Sequence, residues 1–396
     1  MSKRTSAIRG FAKVVTGGTP TRGMKAYYDG AIPWVKTLDL NCGIVKHTEE
    51  SITVEGLRSI RDGFNPPGTV MVAMYGGAGT IGKSGVLGIA AATNQAIASI
   101  LPDASIFDSD FLHYQLMHLR STWMQFSQGN RKDPNINKSV VEDMLVWLPE
   151  NMSKQKAIGA AIKAQLAAAE EARQAALAQL AELRRLKTQS LSAIFSSIGK
   201  RSPIGAVAKL QSGYAFKSQS FQKQGIRLLR NANILPGKVY WDDTVFLAPS
   251  NAKSHETYAL CAGDILISLD RPIISSGIKV ARFSENDLPA LLVQRVGRFL
   301  INKDLLEADY LYAFLQSTSF IEAISGHGQS LGVPHISPSQ IENIEIPLPD
   351  LIEQKRLAIV LTELTAHIQT AEIAAGQQLR DIELLPSRLL AEAFNP

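Results

Sequence analysis

NINKSVVEDMLVWLPE, at residues 135–150, returns as HISPSQIENIEIPLPD at residues 335–350. Ile136 aligns with Ile336, Glu142 with Glu342, and Leu148-Pro149 with Leu348-Pro349. Each copy runs into a Gln-Lys pair, Gln155-Lys156 and Gln354-Lys355, and then into a long stretch of helical composition. Solenoid repeats recur every 20–50 residues or so. A far longer period is the mark of a duplicated globular domain followed by a helix, and it points to a protein that acts at two places at once.

Working outward, the chain divides into four blocks: a domain at 1–150, a spacer helix at 151–200, a second domain at 201–349 and a C-terminal spacer helix at 350–396. In the first domain, 31–36, 69–75 and 86–90 are short apolar runs bounded by glycine or proline and read as strands, while 111–123 has helical spacing. Gly263 opens a second strand-like run that matches the one after Gly68. Residues 153–199 lack proline and are rich in Ala, Leu, Gln, Glu, Lys and Arg, all strong helix formers. Ser153 is the expected N-cap there, and Asp350 with Glu353 resembles a capping box at the second helix. The apolar stripes run through Ile158, Ile162, Leu166, Ala169, Leu177, Leu180, Leu191 and Ile194, and through Leu357, Val360, Leu361, Leu364, Ile368, Leu379, Ile382 and Leu389. Pro386 is expected to break the last turns. A helix of ~45 residues spans about 68 Å at 1.5 Å per residue, a length suited to a spacer. The expected fold is α+β: two similar mixed α/β domains separated by two long helices that pair as an antiparallel coiled coil.

Composition narrows the function classes. Of 396 residues 45% are hydrophobic and 19% charged, ordinary for a soluble globular chain. The excess of 41 basic over 36 acidic residues permits a polyanionic partner without requiring one. Cys42 and Cys261 lie in different halves with no metal-ligand spacing, which argues against zinc and disulfides and fits a reducing cytoplasm. The N-terminus has no apolar signal core, and the most apolar run, 86–101, is interrupted by Asn94-Gln95 and too short to span a bilayer.

GAGTIGKS at 77–84 satisfies the phosphate-loop pattern, which needs a helix beginning at its Lys-Ser. Here strand-like residues follow, and the equivalent loop of the second half keeps only Gly277 for Gly82. Two readings stand: a nucleotide hydrolase built on 77–84, or a glycine-rich hairpin loop. The chain has no GxGxxG opening a helix, no GxSxG, no HExxH and no Asn/Asp-Pro-Pro-aromatic motif. Asn65-Pro66-Pro67-Gly68 lacks the aromatic and is expected to turn the chain before a strand. Together these absences favour a binding protein.

Gly17-Gly18-Thr19-Pro20, the 32–39 run IPWVKTLD, the 212–217 run SGYAFK, the 225–234 run GIRLLRNANI, Asn94-Gln95, the Leu-Pro ends and the twin helices carry a resemblance. In that order, duplicated over essentially the whole length, the chain resembles the specificity subunit of type I restriction–modification enzymes. It departs from the family in Asp270-Arg271-Pro272, where a more glycine-rich loop is common, and in Pro386. The resemblance implies two target recognition domains, each reading one half of a gapped bipartite site in double-stranded DNA. It implies a subunit without catalysis and without cofactors of its own. S-adenosylmethionine, ATP and Mg would sit on partners, namely two methyltransferase (modification) subunits and the restriction/translocase subunits, in the cytoplasm and away from any membrane.

DNA contact needs cations for phosphate and forked donors for base edges. In the first domain the candidates are Thr19, Arg22, Lys36, Tyr75, Lys83, Arg131, Lys132 and Asn135; in the second they are Tyr214, Lys217, Arg230, Asn231, Asn233, Arg271, Gln329 and His335. Asn231 and Asn233 suit adenine edges, and Arg230 or Arg271 a guanine. Each also reads as a solvated loop side chain or a local cap. Trp34 and Trp241 read as core. A non-catalytic coiled-coil scaffold remains the third reading, and it leaves the two domains without a purpose.

Overall fold

The computed structural model describes residues 5–60, 63–76, 79–127, 135–325 and 335–395. In it the repeated stretch becomes the same structure twice. A side-chain cap from Asn137 starts helix Lys138–Asp143, and one from Ser337 starts helix Pro338–Glu342. Strand Leu145–Trp147 then pairs antiparallel with Thr5–Ala7, and strand Glu345–Pro347 with Arg201–Pro203. The apolar residues shared by the copies are those that fold inward: Ile136, Val141 and Val146 in one, Ile336, Ile341 and Ile346 in the other, all buried.

The chain forms two units, 1–176 with 378–396 and 177–377. Each holds one sheet-rich domain and a part of both long helices.

In the first unit, strand Val70–Ala73 lies between Ile97–Ile100 and Ser84–Leu87, antiparallel to both, and Ile97–Ile100 pairs onward with Val14–Thr16. In the second unit, Ile265–Ser268 lies in the same way between Val296–Ile301 and Val280–Arg282, and Val296–Ile301 pairs onward with Ala208–Ser212. A second sheet repeats too: Tyr28–Val35 runs parallel to Ala91–Thr93 as Ile226–Leu229 runs parallel to Ala290–Leu292. The central strands are buried on both faces, which is why they read as continuous apolar runs and not as alternating ones.

Gly17 and Gly213 show why the glycine motifs recur. Gly18 donates its backbone N–H to the Thr93 carbonyl at 2.9 Å, and Tyr214 to Leu292 at 3.0 Å. A Cβ on Gly17 would lie 1.7 Å from the Thr93 oxygen, and one on Gly213 2.4 Å from the Val293 carbonyl carbon. Only glycine lets these backbones approach.

The first spacer helix runs Met152–Ser196 and the second Leu351–Glu383, followed after a break by Leu385–Phe394 with Pro386 in its first turn. Asn151, not Ser153, caps the first helix: its Oδ1 accepts from the Ser153 amide at 2.8 Å. Two residues earlier than expected, this cap leaves Ser153 inside the first turn. Asp350 caps the second helix by accepting from the Glu353 amide at 2.9 Å, while the Glu353 carboxylate turns to Arg356.

Buried positions recur every seven residues, at Gln155, Ile162, Ala169 and Ala176 and at Gln354, Leu361, Ile368 and Ala375. That 3.5-residue period is the one that keeps a seam facing a partner helix. Leu177 and Val360, placed on the stripes by a 3.6-residue reading, are instead exposed; Ala176 and Leu361 take the seam beside them. In the second unit Arg184 pairs with Glu372 at 3.8 Å, while Leu191 and Phe195 share a core with Leu357 and Leu361, an antiparallel order. In the first unit Ile162 joins Phe111, Tyr114, Leu390 and Phe394.

One polar residue of each seam ties its helix to its domain. Gln155 accepts from the Asp108 amide at 2.9 Å and donates to the Ile106 and Pro149 carbonyls at 3.2 and 2.8 Å. Gln354 accepts from the Glu307 amide at 2.9 Å and donates to the Leu305 and Pro349 carbonyls at 3.1 and 2.9 Å. Asp108 and Glu307 are themselves the N-caps of helices Ser109–His118 and Ala308–Phe314.

Candidate nucleic-acid interface

The phosphate-loop pattern at 77–84 lies between two strands of one sheet. Its flanking strands Val70–Ala73 and Ser84–Leu87 pair antiparallel, so Ser84 opens a strand where a phosphate loop would open a helix. Gly82 has φ +72°, and a Cβ there would meet the Trp123 ring at 2.5 Å; its counterpart Gly277 has φ +129°. Gly77 and Ala78 lie outside the described residues. The Lys83 side chain has no hydrogen bond or ion pair among the described residues.

Several first-domain candidates gather around one carboxylate. Glu50 receives Arg22 at 2.6 Å and Lys36 at 2.6 Å, and Lys36 also reaches Glu49 at 2.8 Å. The hydrogen bond from Arg22 and then that from Lys36 hold Glu50 below the usual carboxylate range. The Glu50 bond raises Arg22, and the Glu49 bond followed by the Glu50 bond raises Lys36. The Arg22 guanidinium also lies 5.0 Å from the Tyr28 and Trp34 ring centres. These two cations are locally neutralised, a pairing invisible in a sequence where Glu50 comes 28 positions after Arg22. Thr19 is exposed and bonds the Gln95 side chain. Tyr75 is exposed and Asn135 half-buried, each beside a sheet end. Arg131 and Lys132 lie outside the described residues.

In the second domain the two asparagines serve the fold. Asn233 is buried, caps the turn at Arg230, and donates to the Tyr240 and Asp243 carbonyls at 2.9 and 3.1 Å. The Asn231 Oδ1 accepts from the Ser268 hydroxyl and from Lys279 Nζ at 2.6 Å. With its acceptor so committed, neither amide presents the acceptor–donor fork an adenine edge requires. Arg230 pairs with Asp243 at 3.0 Å. Tyr214 is exposed and packs against Phe216 and His255, with ring centres 4.9 and 4.3 Å away. Lys217 and Arg271 are exposed and have no side-chain partner among the described residues, and Arg271 has φ +45°. Gln329 lies outside the described residues. His335 Nδ1 contacts the buried Asp270 carboxylate at 2.7 Å, and Arg295 pairs with the same carboxylate.

A family model for the type I restriction modification DNA specificity domain matches residues 3–179 and 200–379. The chain belongs to this family. The type I restriction enzyme MjaVIII specificity subunit of Methanocaldococcus jannaschii is 27% identical over 373 residues, 89% of this chain and 83% of that protein. The EcoAI specificity subunit of Escherichia coli is 44% identical over 161 residues, 41% of this chain and 27% of that protein. In that second match the chain spans little more than a quarter of its relative. Among solved structures, a chain from work on complex assembly and conformational transition of the type I R-M system has a TM-score of 0.77 at 16% identity, covering 99% of this chain and 97% of that one. The HsdS subunit of Thermoanaerobacter tengcongensis has a TM-score of 0.59 at 17% identity, over 99% and 96%. Both have the same fold.

The two matched spans of the specificity-domain family correspond to the two copies in the sheets. Reading the sequence missed Glu50, Ser268, Asp270, Lys279 and Arg295, the groups that hold the candidates in place. A signal for Arg295 existed: it follows Gln294 as Ala96 follows Gln95. Trp34 is buried and donates to the Gly18 carbonyl at 3.1 Å, and Trp241 donates to Asp287 at 2.7 Å, so both belong to the specificity domains' packing. Among the described residues no group of ligating side chains could hold a metal ion, and no helix is long and apolar enough to cross a membrane.

Proposed function

We propose that this chain is the non-catalytic DNA-reading subunit of a type I restriction–modification complex, with each domain reading one half of a gapped site in double-stranded DNA. The observation that carries this reading is the duplicated sheet register, two copies of one DNA-specificity scaffold differing in the side chains at their loop ends. Phosphate contact falls to Lys83, Lys217 and Arg271, cations without a side-chain partner among the described residues, together with Arg131 and Lys132. Contact with bases or sugar falls, on this reading, to Thr19, Tyr75, Asn135, Tyr214 and His335. Arg22, Lys36 and Arg230 shape their loops through carboxylates, and Asn231 and Asn233 do so through internal hydrogen bonds.

The helices serve as the docking surface for two modification subunits. Ile352, Ile359 and Ile373, spaced in multiples of seven, are 84%, 62% and 64% exposed. Beside Ile359 a groove of about 620 Å³ is lined by Glu307, Asp309, Lys355, Ala358, Thr362 and Glu363. Apolar side chains in water along one helix face, bordered by charge, are what a partner interface uses. S-adenosylmethionine, ATP and Mg belong to the modification and restriction/translocase subunits, and the complex works in the cytoplasm.

The test is genome-wide adenine methylation in a host without its own modification, expressing this chain with its modification subunit. A gapped two-part motif that disappears when this chain is omitted is expected. Active modification subunit with soluble chain and no motif refutes the reading.

A further inference from the structure

The two domains share a backbone frame at one sheet end, and the frame carries different chemistry in each copy. In the first unit the Met74 amide donates to the Ala96 carbonyl at 2.8 Å, and the Ile136 amide to Met74 at 3.0 Å. In the second the Leu269 amide donates to Arg295 at 3.0 Å, and the Ile336 amide to Leu269 at 2.9 Å. These matched bonds place Tyr75, Ala96 and Asn135 in the first unit where Asp270, Arg295 and His335 stand in the second. The second set is a connected cluster: the buried Asp270 carboxylate holds both the Arg295 guanidinium and His335 Nδ1, while the Arg295 and His335 side chains are 60% and 56% exposed. The first set has an exposed aromatic, a methyl and an amide.

We propose that these matched positions are the specificity-determining positions of the two domains, and that in the second domain Asp270 is a positioning residue that aims Arg295 and His335 at base edges. The inference rests on the DNA-reading function proposed above. A duplicated scaffold that reads two different half-sites must vary where its frame is the same and its side chains reach solvent. Base discrimination by an arginine requires its fork to be fixed before contact, because a freely rotating arginine finds phosphate as readily as guanine. A buried carboxylate gripping two exposed donors supplies that fixation, and its charge-assisted hydrogen bonds are of the strong kind. Ala96 has no such group, so the first domain uses Tyr75 and Asn135 without a clamp. A linear reading does not join Asp270 to Arg295 and His335, which lie 25 and 65 residues further along the chain.

The experiment selects binding sites from a randomised duplex library with the full chain bound to its modification subunits. It compares the native chain with Arg295→Ala, Arg295→Lys and Tyr75→Ala. Arg295→Ala is expected to relax one or two base pairs of a single half-site, with affinity for the native site falling roughly 5- to 150-fold while the other half-site is unchanged. Arg295→Lys retains the charge and loses the fork, so it is expected to relax the same positions. Tyr75→Ala is expected to relax only the opposite half-site. Uniform weakening with an unchanged motif in Arg295→Ala and native behaviour in Arg295→Lys would identify a phosphate contact and overturn the proposal. An Arg295→Ala chain that fails to fold leaves Tyr75→Ala and Arg295→Lys to decide, and unchanged motifs in both overturn it. A native complex that selects no gapped motif sinks the DNA-reading function itself, a result distinct from an intact motif indifferent to these residues.

Discussion

Gln354→Ala should be among the most damaging single polar substitutions in the chain. Gln354 is 1% exposed and makes three hydrogen bonds, to the Glu307 amide and to the Leu305 and Pro349 carbonyls. Truncation leaves one N–H and two carbonyls buried without those partners. An unmade buried hydrogen bond costs about 1–3 kcal/mol. The carbonyls each have a second lone pair, and the vacated space admits a water, so the sum is discounted to about 2–4 kcal/mol. Gln155→Ala should cost nearly the same, because its three bonds match those of Gln354 to within 0.1 Å in each case. Urea unfolding followed by circular dichroism measures the loss, and hydrogen exchange at the Asp108 and Glu307 amides localises it. Gln354→Leu, which restores volume without donors or acceptor, should not recover stability. A loss under about 1 kcal/mol, or slow exchange at the Glu307 amide in Gln354→Ala, would refute the view that these glutamines fasten each helix to its domain.

Other outcomes follow from particular contacts. Gly82→Ala should cost about 2 kcal/mol or more, since φ +72° and a 2.5 Å approach to Trp123 both resist a Cβ; a melting temperature equal to the native one would contradict this. Lys83→Ala should leave ATP turnover at background in both proteins, while weakening DNA binding evenly across sequences and lowering the salt slope by about 1; lost ATP hydrolysis would revive the phosphate-loop reading. His113 is buried, and desolvation pushes its imidazole below the ordinary value against weaker opposing effects from the Cys42 backbone and Asp110. Its ring nitrogens have no hydrogen bond of good geometry. The unfolded chain therefore takes up a proton near pH ~6.5 that the folded chain refuses, so stability is full above that pH and declines as pH falls below it. His113→Phe should flatten the decline between pH 7 and 5 in unfolding measurements, and an unchanged slope would remove His113 as its cause.

Local patterns made much of the fold legible. The duplicated stretch, the helix compositions and the Pro386 break are properties of neighbouring residues, and each became the element its spacing implied. That Ser84 opens a strand and not a helix was legible for the same reason, because the strand-forming run after Lys83-Ser84 is local. The seam was misjudged at Leu177 because hydrophobicity ranks leucine above alanine, whereas close helix packing selects the small Ala176; at Val360 the seven-residue period runs through the adjacent Leu361.

The candidate site divides along the same line. Sequence alone determined that loop cations, amides and aromatics lie between strands in two matching copies, because residue type and turn position are local. Only the tertiary structure decided which of them are free. Arg22 and Lys36 are neutralised by Glu50, Asn231 is held by Lys279 from 48 residues away, and Asp270 joins Arg295 to His335. Hydrogen bonds and ion pairs act over about 3 Å in space whatever the distance along the chain, so their partners are set by strand register and loop crossing and not by neighbours in sequence.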